Sequence, residues 1–484
     1  HVGDPDPEGQ LIVDEVLDHF GNRKPVKRVL INDYNPTKVK QALEDIRDNN
    51  EPMFRGWSLW AKARSRYDWL MGINATRAMT VRGRSLGYDG LLPVGSVQTP
   101  VQFIMVEHDR KIETFVAQRF YKIAARIDHP AGEFRARWKP RVDQEGIEDG
   151  RLVSPAVAEN LVSRVTGQSG RVSDYMVEPK EQPAPLTMGL DELQMDAFSR
   201  FGYTGDQTMA AAQKLYETYK VATYPRSDNR YLSEAQHAAA PAVIDCVFRL
   251  RPDLGKLREV VDSSRKSAAF DDKKMVNGKG EPTPHHAIVP TIPEIEVNQD
   301  SWNQVERDVY DMIVRSYLAQ FAPRHEYLRT TLEVEVGGES FIAQGNTTTA
   351  EGWKQICKPV EDDEADDASK DVSDDQQLPA VAVDDHVKAL DCTMSTANTT
   401  PPARFDEKLI RAAMKNVHKY VSDPVIRARL KEGDGIGTTA TRSPMIQDMK
   451  DRKVIVPIKP GSSKLMTAEQ TRALIDALPA DVKE

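Results

Sequence analysis

The chain has 484 residues, with 65 lysines and arginines against 74 aspartates and glutamates, a formal net charge of −9 and 39% hydrophobic residues. This composition supports packed cores in roughly three domains of about 150 residues each and excludes disorder throughout; no run nears the roughly 18 apolar residues of a membrane span and no signal pattern opens the chain, so a soluble cytoplasmic protein is expected. Cys246, Cys357 and Cys392 are odd in number and widely spaced, which argues against a disulfide framework and against a CxxC zinc site.

The chain opens on HVGDPDPEGQLIVDEVLDHF, where Asp4, Asp6 and Glu8 alternate ahead of an amphipathic stretch containing Leu11, Ile12, Val16 and Leu17. The pattern predicts a strand end running into a helix. VKRVLIND reads as a strand, and residues 37–47 as a helix capped by Thr37. Helical spacing is strong over residues 57–80, with an interruption expected at Gly72. Alternation in YKIAARI and FRARWKP predicts a β-rich region, and PKEQPAPLTMG a linker into a helical block at residues 190–219. Residues 259–284 are polar and read as a mobile loop. YLRTTLEVEVGGESFIAQG predicts a hairpin turning at Gly337 and Gly338. Residues 361–385 hold eleven carboxylates and one lysine, so a single solvated loop of net charge −10 sits on a body of +1. PPARFDEKLIRAAMKNV begins a last helical region, and GDGIGTTATRSPMIQDMKDRKVIV reads as a helix-turn-helix followed by a strand. There is no GxxxxGK[ST] loop to bind ATP.

Four groups of residues could carry chemistry. In VATYPRSDNRYL, Tyr224 precedes Pro225, with Arg226, Asp228 and Arg230 beyond it. A phenol is a weak nucleophile near neutral pH; a nearby guanidinium favours the phenolate and grips a phosphate, so Tyr-x-Arg suits attack on a phosphodiester. Asp4, Asp6 and Glu8 suit an octahedral Mg²⁺ if they point one way from a strand, or an acidic helix N-terminus if they do not. His285 and His286 in PTPHHAIVPT cannot both face one metal from a regular element; either an imidazole contacts a phosphate or the nucleophile, or the pair is structural. Arg64 and Asp68, four residues apart in KARSRYDWLMGINATRA, make either a surface pair or an arginine aimed at DNA and held by its aspartate.

In this order the segments resemble a type IA DNA topoisomerase, most like the bacterial topoisomerase III branch. DPDPEGQLIVDEVL resembles the family's DxDREG segment with Pro7 in place of its arginine, and VGSVQTPV its GRVQTP segment with Ser96 in place of arginine. SRYDWLMGINATRA, TYPRSDNRYL, HHAIVPT, PPARFDEKLIRAAM and DGIGTTATR match further motifs, covering the chain from Asp4 to about Val456. The resemblance implies a multidomain fold of α/β, α and β parts: a toroid with a partial Toprim domain at residues 1–38, a helical DNA-groove domain at 39–118 and 401–484, a β-rich arch of two strand-rich arms at 119–182 and 325–400 holding the acidic loop, and a helical domain at 183–324 carrying the active-site tyrosine. It implies Tyr224 as the nucleophile forming a 5′-phosphotyrosyl link, with Arg226 positioning the phosphate and His285 assisting. Arg64, Asp68, Gln98, Arg230, Thr441 and Arg442 would line the strand, and Asp4, Asp6 and Glu8 would bind Mg²⁺. It further implies an ATP-independent monomer acting on single-stranded and negatively supercoiled DNA near nucleoid or plasmid, with relaxation and decatenation as its work. The family's first Toprim strand carries a catalytic Glu and a Lys that precede this chain's first residue, so impaired cleavage by this polypeptide is expected. The competing readings are a non-catalytic single-stranded DNA-binding relative and a metal nuclease using Asp4, Asp6 and Glu8 alone.

Overall fold

The computed structural model describes residues 1–31, 36–275, 285–358, 376–433, 435–479 and 482, with Thr37, Lys38 and Glu432 described by backbone alone. The chain divides into two units, each assembled from segments distant in sequence. The first takes residues 1–110, 185–322 and 404–484; the second takes residues 111–184 and 323–403.

The first unit begins with helix α1 (Pro7–His19), the two-residue strand β1 (Lys27–Arg28), helix α2 (Pro36–Glu44) and strand β2 (Arg47–Asp48), which pairs antiparallel with β1. Two expectations change here. The approach to Asp4 is not a strand, because Asp6 has extended backbone and caps α1, accepting from the Gly9 amide at 2.7 Å, so Glu8 lies inside the first helical turn. Thr37 lies within α2 rather than ahead of it, so it is not the cap. Helix α3 (Pro52–Ser85) runs 34 residues straight through Gly72, where no interruption occurs. An added side chain at Gly72 would meet only the Val94 carbonyl at 3.7 Å, so this glycine marks no break. Helix α4 (Gln98–Glu113) follows, and its buried face of Val101, Ile104 and Met105 joins Phe405, Ile410, Met414 and Ile446 in one core.

In the second unit, β3 (Arg119–Asp128), β4 (Phe134–Lys139), the short β5 (Ile147–Glu148) and β6 (Arg151–Leu152), helix α5 (Pro155–Val165) and β7 (Ser169–Gln182) come from the first segment. Strand β7 includes Pro179, paired opposite Leu328, so the segment expected to open as a linker opens as a strand. Helices α6 (Leu190–Phe201), α7 (Gly205–Glu217), α8 (Glu234–Leu250) and α9 (Gln304–Leu318) return to the first unit. Strands β8 (His325–Val336), β9 (Glu339–Ala350) and β10 (His386–Asn398) then complete the second unit's sheet. Gly337 and Gly338 turn between β8 and β9 at φ of 60° and 77°, the left-handed pair that a two-residue hairpin needs. Strand β10 pairs with both β7 and β3, closing the antiparallel order β10-β7-β8-β9-β4-β3 into a ring. The two sequence segments therefore build one closed sheet. Alternating burial along β4 sends Phe134, Ala136 and Trp138 into a core with Ile127, Val334 and Phe341 and leaves Arg135, Arg137 and Lys139 outside.

Helices α10 (Glu407–Lys415), α11 (Pro424–Glu432) and α12 (Thr439–Asp451), strands β11 (Ile455–Pro457) and β12 (Leu465–Thr467) and helix α13 (Glu469–Ala477) end the first unit. Of the segment expected to be a mobile loop, residues 276–284 lie outside the described residues. Ahead of them the segment is anchored where Leu232 bridges Phe270 and where Ala269 and Phe270 are buried. Residues 361–375 of the acidic loop also lie outside the described residues. Among the described residues no helix is long and apolar enough to cross a membrane.

Candidate active site

The site lies within the first unit. Residues 221–224 run beside residues 287–291: Thr223 N–H donates to the Val289 carbonyl at 3.0 Å, Thr291 N–H donates to the Val221 carbonyl at 3.0 Å, and Ala222 bridges Pro290. Two motifs some sixty residues apart in sequence are thus paired in space. Tyr224 ends this run 4% exposed, its ring edge-on to Tyr216 at 5.6 Å and tilted against His285 at 5.4 Å. Its hydroxyl donates to Asp6 Oδ2 at 3.2 Å. Arg226 and Asp228 alternate outward and are exposed, and His285 Nδ1 lies 4.0 Å from Asp228 Oδ1.

The acidic segment is shaped by close backbone packing. An added Cβ at Gly9 would sit 2.5 Å from the Asp4 carbonyl oxygen and 2.6 Å from its nitrogen, so a glycine is what lets Asp4 fold back over α1. Fully buried Arg28 clamps the same segment, donating to the carbonyls of Gly3 and Asp4, each at 2.7 Å, and to Gln10 Oε1 at 2.9 Å. Burial lowers the Arg28 guanidinium to about 10, with Asp6, Asp14 and Asp4 acting against that shift. In sequence this segment, VKRVLIND, reads as a strand, and the place of Arg28 inside that apolar run is the one signal of its burial.

The electrostatics of the site are crowded and negative. Asp4 is held above the ordinary carboxylate range by burial first and then by Asp6, with Arg226 opposing. Glu8 is raised too, by burial before Asp6, although Arg64 pulls the other way. The Tyr224 phenol is pushed well above its ordinary value by burial, then by Asp6 and Asp4, and Arg226 acts to lower it. In this state the hydroxyl is a proton donor held by carboxylates.

Among the described residues no group of three or more carboxylate, histidine or cysteine side chains is arranged to hold a metal ion. Asp4, Asp6 and Glu8 are not held as such a group here: Glu8 pairs with Arg64 at 2.5 Å while staying within electrostatic reach of Asp6. The donor chemistry of the remaining pair still fits Mg²⁺, which binds through one or two carboxylates and keeps most of its waters. Asp6 acts to raise Asp4, and both act to raise Tyr224, the signature of negative charge concentrated at one place.

The residues expected to line a DNA strand separate into two groups. Arg64 lies over the Trp60 ring at 5.1 Å and pairs with Glu8 rather than Asp68. Exposed Asp68 instead accepts a hydrogen bond from Ser96, and Gln98 sits at the first turn of α4, partly exposed. The others are engaged in the fold. Arg230 donates to the carbonyls of Thr187 and Leu186 at 3.0 and 3.1 Å. Thr441 closes the α12 capping box with Thr438, whose amide donates to Thr441 Oγ1 at 2.9 Å. Arg442 is 1% exposed and ion-paired with buried Asp191. Arg230 and Arg442 thus make internal bonds, Arg442 buried and the Arg230 side chain still 32% exposed. Tyr216 and Asp191 were not anticipated; both lie on helix faces that read in sequence as ordinary packing.

A sheltered tyrosine thus stands beside an arginine, a histidine and paired carboxylates. The sequence profile of a family described as DNA topoisomerase matches residues 55–484, and the chain belongs to that family, the type IA DNA topoisomerases. It is similar to enzymes named DNA topoisomerase 3: that of Salmonella typhimurium is 37% identical over 486 residues, covering 99% of this chain and 71% of the relative. The Pasteurella multocida enzyme is 35% identical, covering 99% of this chain and 73% of the relative, and that of Bacillus subtilis is 30% identical, covering 98% and 62%. The fold is shared with full-length topoisomerase I of Thermotoga maritima at a TM-score of 0.69 and 18% identity, covering 98% of this chain and 69% of that one.

Proposed function

We propose that Tyr224 is the nucleophile with which this DNA topoisomerase cleaves and rejoins one DNA strand, without ATP, through a 5′-phosphotyrosyl intermediate. The observation that carries the reading is the hydrogen bond from the Tyr224 hydroxyl to Asp6, with His285 against the ring and exposed Arg226 two residues away. As the phenol oxygen attacks phosphorus, its proton passes toward Asp6, the acceptor within reach. The bond to the 3′-oxygen breaks, and that oxygen leaves as a hydroxyl by taking a proton from solvent. Arg226 holds the non-bridging oxygens of the scissile phosphate, and His285 supports the ring and the phosphate from the other side. The phosphotyrosyl diester conserves the energy of the broken linkage, so the 3′-hydroxyl reverses the step. Most of the rate then comes from position and from neutralised phosphate charge. Asp4 and Asp6 are the groups that would hold Mg²⁺, which when bound supplies positive charge toward the phosphate. Relaxation and decatenation follow when a second strand passes before rejoining, and Arg64, Asp68 and Gln98 are the residues proposed to face the bound single strand.

The test is denaturing electrophoresis of the protein after incubation with a single-stranded oligonucleotide labelled at its 3′ end. A labelled protein band that is absent in Tyr224→Phe supports the reading. Labelling that persists in Tyr224→Phe, or strand cleavage with no protein-linked product, overturns it.

A further inference from the structure

The loop carrying Tyr224 is braced from behind by the first turn of α6. Leu190 N–H donates to the Ser227 carbonyl at 2.8 Å, and an added side chain at Gly189 would come within 3.1 and 3.2 Å of the Ser227 and Asp228 carbonyl oxygens. Arg230 returns from the far end of the loop to the carbonyls of Leu186 and Thr187, just ahead of the same turn. The loop therefore takes its position from α6.

The C-terminal helices in turn grip that turn. Asp191, 4% exposed, pairs with Arg442, whose Nε and Nη2 donate to the carbonyls of Ile436 and Gly437 at 3.2 and 3.1 Å. Arg411, fully buried on α10, places Nε 4.0 Å from Asp191 Oδ1 and donates through Nη2 to Ser443 Oγ at 2.6 Å. Lys415 meets Glu192, the next residue of the turn, at 2.5 Å. Burial raises the Asp191 carboxyl and lowers the Arg411 guanidinium, so the cluster works against desolvation. Apolar side chains would hold three helices together at least as firmly. A planar guanidinium bound to a carboxylate and to two carbonyls adds direction, fixing the turn in one orientation.

We propose that Asp191 and Arg442 are positioning residues for strand cleavage, an ion pair through which the turn into α12 and its first residues, 436–442, set the orientation of α6 and thereby of the Tyr224 loop. The proposal rests on the reading of Tyr224 as the nucleophile. It assigns Arg442 a task other than DNA contact, and the two tasks separate in measurement. The experiment compares Asp191→Asn, Arg442→Met and the double variant for single-turnover formation of the covalent adduct at saturating single-stranded oligonucleotide. The affinity and salt dependence for the same oligonucleotide are measured alongside.

Loss of orientation by about an ångström predicts a fall of roughly tenfold to a hundredfold in adduct formation by each single variant. The double variant should lose no more than the worse single one, because the pair acts as a unit. Oligonucleotide affinity and its salt slope should stay at the wild-type values. Arg442→Lys, which keeps the charge but loses the fork, should fall between wild type and Arg442→Met. It also serves as the readout if Arg442→Met does not fold. Asp109→Asn removes another buried carboxylate, bonded to Thr467 and Arg404, and should lower the melting temperature with the adduct rate unchanged. Unchanged adduct rates in folded Asp191→Asn and Arg442→Lys overturn the proposal. So does weaker binding with a shallower salt slope in the Arg442 variants, which would make this side chain a phosphate contact. Adduct formation that persists in Tyr224→Phe would instead remove the nucleophile reading itself.

Discussion

Besides its proposed hold on Mg²⁺, Asp6 caps α1 and accepts from Tyr224, and one substitution separates these two tasks when the metal is kept saturating. Asp6→Asn keeps a side-chain oxygen for the Gly9 amide, now 2.7 Å away, and asparagine caps helices about as well as aspartate, so α1 should stay within a few tenths of a kcal/mol of its present stability. What changes lies at 3.2 Å on the other side, where the Tyr224 hydroxyl would face the asparagine NH2, a donor, in place of a charged acceptor. Removing the charged acceptor is worth about 1.5 kcal/mol, roughly tenfold toward the phenolate. Against that gain stands the loss of the proton acceptor, typically about 10²- to 10⁴-fold. The loss wins, so adduct formation at neutral pH and saturating Mg²⁺ should drop at least about tenfold. The deficit should narrow as pH rises and solvent takes the proton instead. The assay is the single-turnover adduct rate against pH with the labelled oligonucleotide. Wild-type rates at neutral pH in Asp6→Asn would refute Asp6 as the acceptor, and a deficit that stays constant with pH would refute its role in moving the proton.

Further outcomes follow from the same geometry. Asp4 is raised, so its ionised form works against the fold above the ordinary carboxylate range: Asp4→Asn should be more stable than wild type at pH 7, and the difference should vanish as acid protonates Asp4 in wild type, measured by melting temperature against pH. The Tyr224 phenol, also raised, favours the folded state below the pKa of a free tyrosine, and wild type should lose that contribution as pH climbs past about 10, a loss that Tyr224→Phe lacks. Gly9→Ala places a Cβ 2.5 Å from the Asp4 carbonyl and should cost about 1–3 kcal/mol in denaturant unfolding while displacing Asp4. Phe341→Ala empties a fully buried position in the second unit's sheet and should cost about 3–5 kcal/mol, read by calorimetry, with adduct formation by the surviving folded protein unaffected.

Local patterning was the legible part of the fold. The alternation in FRARWKP became β4 with every second residue buried, and the double glycine became the β8–β9 turn, because period-two burial and left-handed turns are properties of a few neighbouring residues. Helical spacing marked α3 but misjudged Gly72, since a single glycine lowers helix propensity by only about 1 kcal/mol and 34 residues absorb that. Pro179 misled in the opposite direction: it lies in β7, opposite Leu328, although proline cannot donate a ladder hydrogen bond. At the candidate site, Tyr224, Arg226 and His285 were marked by residue type and company. Asp4, Asp6 and Glu8 were marked as a group with a strand end and an acidic helix N-terminus both open, and Asp6 as the cap with Glu8 in the first turn decides for the helix N-terminus.

The sequence by itself determined the inventory: which residues have nucleophilic, acidic and cationic chemistry, in which order, and that the excess negative charge belongs to one segment. Tertiary structure alone decided which of them meet. Thr223 finds Val289, Tyr224 finds Asp6 across 218 residues, and Arg442 finds Asp191 across 251. An arginine's destination depends on whether a buried carboxylate lies within its reach, and that is settled by helix packing. Arg64 and Arg442 look alike in sequence. One stands partly open over Trp60, and the other is sealed behind the tyrosine loop.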